Sequence, residues 1–166
     1  MRRMAEKQRL TLDYDAGLTE IYIPATDSTI KLNLEDVGLY KRVENTFEKI
    51  EKIIIPFSKA AEELQKFKSE QDGKESEEFI NKLEELLEQQ DEVDKEIRAQ
   101  LAECFGFDIG SAVFGTMSCL SPCKSAPTVL HSFMEYFAKI YSDSMAKLGA
   151  ESNKRIEKYI KKYSKK

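Results

Sequence analysis

The chain has 166 residues, enough for one hydrophobic core and too few for two ordinary domains. Its 41% hydrophobic and 34% charged residues exclude a wholly disordered chain, and no stretch approaches the roughly 18 consecutive apolar residues that a helix needs to cross a bilayer. The net charge is only −4 but unevenly spread, with an acidic stretch over 62–103 between a basic start (Arg2, Arg3, Lys7, Arg9) and a basic end (Lys154 to Lys166), so each block can attract a partner of opposite sign.

Residues 1–10 are polar and basic and read as a flexible arm; they lack the apolar segment of a signal peptide. Three short runs rich in β-branched and aromatic residues follow, Thr11–Asp15, Ile21–Pro24 and Thr29–Leu34, with turn residues at Ala16-Gly17 and Asp27-Ser28. In the last run Ile30, Leu32 and Leu34 alternate with polar residues and share one face. The pattern predicts a small hairpin or three-stranded sheet whose apolar face rests on a helix, because so few strands are marginal alone.

Asn33 or Glu35-Asp36 can start the first helix. Its stripe is Leu39, Val43, Phe47, Ile50, Ile54, Phe57, Ala61 and Leu64, every step three or four residues. Pro56 lies inside it; the register continues past the proline, which predicts one kinked helix instead of two. Gln71-Asp72-Gly73 breaks the pattern, and Ser76 before Glu77-Glu78 caps a second helix. That helix carries Phe79, Leu83, Leu86, Leu87, Val93, Ile97, Leu101 and Phe105 and closes at Gly106. It should pair antiparallel with the first.

A compact segment from Phe107 to Ala126, with a short helical turn at Ser111–Phe114, leads to a third long helix with a start signal at Ser125 and Pro127. Its stripe is Leu130, Phe133, Phe137, Ile140, Tyr141, Met145 and Leu148; beyond it Ile156, Tyr159, Ile160 and Tyr163 stand among lysines. The predicted fold is therefore mainly α. A small N-terminal β-hairpin or three-stranded sheet precedes an antiparallel bundle of three long helices with a short helical corner. It forms one domain over 1–166, with a β element at 11–34, a helical core at 35–150 and a basic helical tail at 151–166.

No catalytic set accompanies this pattern, which predicts a binding protein and no enzyme. Cys104, Cys119, Cys123 and His131 could together supply four zinc ligands, but only Cys119 and Cys123 are close in sequence, short of the two close pairs of the common structural site. No metal or cofactor is expected. An odd number of cysteines without an export signal reads as reduced thiols in a cytoplasmic protein. His131 is the single histidine and the one base available to a thiol nucleophile. Carboxylate pairs such as Glu84-Glu85 and Asp91-Glu92 sit in a charged helical run and read as a solvated face. The lysines and tyrosines of the tail are one footprint of nucleic-acid binding, opposed by the acidic middle of the chain.

The most distinctive local pattern is Phe105-Gly106, six residues, then Val113-Phe114-Gly115. It resembles the two-Phe-Gly signature of the small tail assembly chaperones of siphophages from Gram-positive hosts. The run Thr29-Ile30-Lys31-Leu32-Asn33-Leu34-Glu35-Asp36 is similar to that family's passage from an alternating strand into an acidic helix start, and the order of parts agrees along most of the chain. Phe107-Asp108-Ile109 before Gly110 and the stretch Met117–Ala126 depart from the family pattern. The resemblance implies a non-enzymatic role in the host cytoplasm, binding the tape measure protein and helping the tail tube protein assemble around it. Phe105, Gly106, Phe114 and Gly115 would then be partner-binding residues; the alternative is a wholly structural motif, both rings filling the core beneath a glycine corner. A self-associating structural subunit or helical adaptor is the competing class, and a homo-oligomer is compatible with both.

Overall fold

A computed structural model describes residues 11–14, 17–73 and 75–163. The chain is mainly helical behind an N-terminal two-stranded hairpin. Strands β1 (Leu18–Ile23) and β2 (Ser28–Asn33) pair antiparallel, with Ile21 opposite Ile30 and Glu20 opposite Lys31. One turn of 3-10 helix, Pro24–Thr26, joins them and ends at Asp27, whose left-handed backbone (φ 50°) turns the chain into β2. The Tyr22 hydroxyl donates to the Asp27 carboxylate at 3.0 Å and fastens the turn. Period-two alternation puts Ile30 and Leu32 into the core while Thr29 and Lys31 stay in solvent. The expected strand at Thr11–Asp15 is not formed by its described residues: Thr11–Tyr14 are exposed and unpaired with the sheet. Its β-branched and aromatic composition meets no apolar surface to cover, which is what propensity alone needs to become a strand. The expected arm at 1–10 lies outside the described residues.

Helix α1 (Val37–Glu70) begins at Asp36, which accepts the Gly38 N–H at 2.8 Å and pairs with Arg42 at 2.8 Å. It passes Pro56 as one uninterrupted helix. Helix α2 (Glu77–Phe105) begins at Ser76, whose hydroxyl accepts the Phe79 N–H at 3.1 Å, and ends at Gly106 in the left-handed conformation. Lys68 and Lys82 at the far end stack their ammonium groups on Phe79 and Phe67, whereas Thr46 near the start of α1 meets Cys104 near the end of α2. The two helices are thus antiparallel. Short helix α3 (Ile109–Phe114) follows, then α4 (Val129–Tyr163).

The core lies where the hairpin, α3, the first third of α1, the last third of α2 and the start of α4 meet. Ile50, Ile97, Leu101, Ile109, Cys119 and Leu130 are fully buried there. Helix α4 joins through rings: Phe137 lies 5.2 Å from Phe105 and 6.4 Å from Phe47, and Tyr141 lies 6.0 Å from Tyr40. No described residue after Tyr141 is buried. Leu87, expected on the buried stripe of α2, is 54% exposed, because the adjacent Leu86 takes the position facing α1 and the two cannot share one face.

Candidate functional site

The Phe-Gly corner is built from both sides of α3. After Phe105 the chain must reverse within two residues, and Gly106 (φ 81°) does so while its N–H closes α2 on the Ala102 carbonyl at 2.9 Å. Asp108 then caps α3, accepting the Ser111 N–H at 3.1 Å and the Ser111 hydroxyl at 2.6 Å. Gly110 serves a different end: a Cβ there would stand 3.0 Å from Cγ of Arg98, so its absence lets α3 approach the Arg98 side chain of α2 closely. At the far end the Thr26 hydroxyl donates to the Ala112 carbonyl and ties the hairpin turn to α3.

An ion pair fastens the loop that follows. Asp94 and Arg98, one turn apart on α2, lie 2.9 Å from each other with only 13% and 18% of their side chains exposed. Asp94 accepts the Cys119 N–H at 2.7 Å, and Arg98 donates to the Met117 carbonyl at 2.6 Å with its guanidinium 5.6 Å from the Phe114 ring. Burial pushes the Asp94 carboxyl up, but the Cys119 N–H and thiol together with Arg98 outweigh it and hold the carboxyl below its ordinary value. The loop in turn starts α4: the Cys119 and Ser121 carbonyls accept the Leu130 and Val129 N–H groups, each at 2.9 Å, and the Thr128 hydroxyl accepts the His131 N–H at 3.2 Å. Thr128 thus stands one to three residues beyond the expected start at Ser125 and Pro127.

These anchors place the four sequence-predicted partner residues largely inside. Phe114 is 2% exposed and meets Phe133 edge-on at 5.8 Å; Phe105 is half-buried against Phe137; Gly115 is half-buried; Gly106 alone is exposed. Both motif rings therefore prop α4 from beneath. What α4 presents on either side is apolar. One groove of about 470 Å3 lies between α4 and the hairpin, walled by Ile21, Ile23, Phe133, Tyr136, Phe137 and Ile140. A second, of about 500 Å3, lies between α4 and α1, walled by Val37, Tyr40, Phe47, Phe137, Tyr141 and Met145. Phe137 is common to both. Tyr136 is 63% exposed and Val37 72%, so each groove is edged by an open side chain.

The thiols stand apart in character. Burial pushes the Cys104 thiol up, and burial with the neighbouring Asp94 carboxylate pushes Cys119 up further. Cys123, at the rim of the first groove, lies 3.2 Å from the Ser125 hydroxyl, which holds its thiol below the ordinary value. Among the described residues no three His, Cys, Asp or Glu side chains converge to hold a metal. His131 turns Nδ1 to the Thr128 hydroxyl at 2.7 Å. No helix among the described residues is long and apolar enough to cross a membrane.

Sequence reasoning missed the grooves and the Asp94–Arg98 brace. The i, i+4 spacing of that pair was its one visible signal, shared with the exposed pair Asp91–Lys95. Comparison with known proteins gives no match, whether to a family model, a curated protein or a solved structure.

Proposed function

We propose that the chain is a non-enzymatic binding protein that holds an amphipathic segment of another chain in the grooves beside α4. The observation that carries this reading is the pair of apolar grooves sharing Phe137, each large enough for a few side chains and each left open to solvent. A helix offers anchors at i, i+3, i+4 and i+7, which suits a long groove between helices. The reading takes α1, α2 and α4 as an antiparallel three-helix bundle left open along one side, which the bound segment completes.

The double Phe-Gly corner and the strand-to-helix passage at Thr29–Asp36 favour one kind of partner. On that resemblance the chain is a siphophage tail assembly chaperone working in the host cytoplasm. It would bind the tape measure protein and keep it soluble until tail tube subunits polymerise around it. Phe105 and Phe114 act in this scheme by setting Phe137 and Phe133 in the groove walls, and Gly106 and Gly115 by permitting the corner. Co-expression with a tape measure protein tests the proposal. A rise in soluble partner that co-purifies with the chain is expected, and a partner that stays insoluble and separate defeats it.

The same exposed Val37, Tyr40 and Tyr136 support a second reading, a structural subunit or helical adaptor that covers its grooves by self-association. Light scattering separates the two: a stable oligomer in which Tyr136→Glu dissociates the copies favours the second.

A further inference from the structure

The two ends of the molecule carry opposite charge, and each lacks the kind of surface the other has. Phe47 meets Phe137 and Tyr40 meets Tyr141, so α4 runs antiparallel to α1 and leaves the core past the start of α1. At about 1.5 Å per residue, residues 142–163 extend roughly 33 Å in that direction, while α1 from Phe47 to Glu70 extends roughly 35 Å in the other. The far half of the α1–α2 pair is consequently two helices without a third.

That far half leaves apolar surface uncovered on more than one side. Ile55, Ile80 and Leu87 are about half exposed there. Shallow clefts lie about Leu64, one of about 240 Å3 with Ala60 and Leu86, the other of about 330 Å3 with Ala61 and Phe79. Glu62, Glu63 and Glu85 rim them beside Lys68 and Lys82, whose ammonium groups lie over Phe79 and Phe67, and residues 62–92 hold twelve acidic residues, all exposed, against four basic. Residues 144–163 reverse this balance with six basic against two acidic, and the sequence sets Ile156, Tyr159, Ile160 and Tyr163 at one helical spacing among the lysines.

We propose that the basic end of α4 docks on the acidic α1–α2 hairpin of a second copy of this chain. The occupant cannot be the molecule's own tail, because α4 is one continuous helix directed away from that hairpin. A basic amphipathic helix supplies the third helix that the pair lacks, and its lysines meet the glutamates that rim the clefts. The contact joins unlike surfaces. Exchanged reciprocally about a two-fold axis it closes a dimer with two such contacts, and unreciprocated it propagates a chain. This surface lies apart from the grooves beside α4, so the inference stands or falls independently of the partner proposed there.

Sedimentation of the full chain tests it. At an ionic strength of about 0.01 M, where the screening length is about 30 Å, the mass exceeds the 19.1 kDa of one chain; at about 1 M, where that length is about 3 Å, it falls toward it. The triple variants E62K/E63K/E85K and K154E/K158E/K161E each remain monomeric alone at low ionic strength, with unchanged helical circular dichroism, and associate when mixed one to one. A wild-type chain that stays monomeric at low ionic strength overturns the proposal, including one whose tail instead captures a nucleic-acid probe. So does association that survives either charge reversal unchanged, or reversed chains that ignore each other on mixing.

Discussion

The Asp94 carboxylate on α2 accepts the backbone N–H of Cys119, twenty-five residues further along, at 2.7 Å. Through this bond and the Arg98–Met117 contact, one ion pair fixes the loop whose carbonyls begin α4. Asp94→Ala leaves the Cys119 N–H and the Arg98 Nε–H without their acceptor, while Arg98 keeps the Met117 carbonyl. A loss of about 1 to 3 kcal/mol is expected, read as a lower urea midpoint with unchanged slope. A midpoint that does not move would show the loop to be held by other contacts.

Acid should unfasten the same brace. The folded Asp94 carboxyl lies below the ordinary 3.8, so its contribution is present in full above that value and is lost as pH falls through the lower folded one. Asp36, held down chiefly by its hydrogen bond from Arg42, adds to the trend in the same direction. Stability measured from pH 6 downward should therefore fall more steeply in the wild type than in Asp94→Asn. Parallel curves would assign the acid sensitivity elsewhere.

Thiol reactivity should divide the three cysteines. Cys123 is half-buried with its thiol held low, whereas Cys104 and Cys119 are buried and pushed up. A maleimide probe at neutral pH is expected to label one thiol in the native chain and three in denaturant. Cys123→Ser should abolish the fast phase. The buried pair also gives an alkaline limb: because their folded values are raised, their contribution holds below the ordinary 9.0 and declines as pH rises above it.

Pro56 removes one hydrogen bond from an otherwise unbroken α1, at an exposed position. Pro56→Ala restores the bond to the Lys52 carbonyl. A proline inside a helix costs about 3 kcal/mol, offset by up to about 1 from the stiffer unfolded chain, so thermal unfolding should move upward by several degrees. A fall in melting temperature would mean that the proline sets a bend the core requires.

The grooves can be addressed one at a time. Tyr136→Glu puts charge into the hairpin-side groove and Tyr40→Glu into the α1-side groove, both at exposed positions. Whichever groove receives the partner's anchors should lose capture by about tenfold or more, as expected for a central aromatic contact worth above 1.4 kcal/mol. Pull-down with each variant reads this directly, and equal capture by both would remove the grooves from the binding surface.

Local signals carried much of the architecture. Asp36, Ser76 and Gly106 mark helix ends with their own side chain or backbone, and the stripes of α1 and α4 need no knowledge of the rest of the chain. What failed did so where the outcome depends on a distant neighbour. Thr11–Tyr14 has strand composition but pairs with no strand among the described residues. Asp94 looks like any acid on a charged helix until the loop twenty-five residues on returns to it. Phe114 is equally compatible with a core ring and a contact ring in one dimension, and only Arg98 and Phe133 packed around it show that its ring is buried. The groove-lining character of Tyr136 was invisible for the same reason: its walls come from the hairpin more than a hundred residues earlier.

The Tyr141 hydroxyl donates to the Asp36 carbonyl at 3.1 Å, a link across 105 residues. The hairpin and the α1–α2 pair can form from nearer neighbours, but this link closes a far longer loop and waits for α4. Both walls contributed by α4 arrive with it. Each recess is therefore assembled only when α4 seats, so the apolar hollows are among the last parts of the fold to take shape.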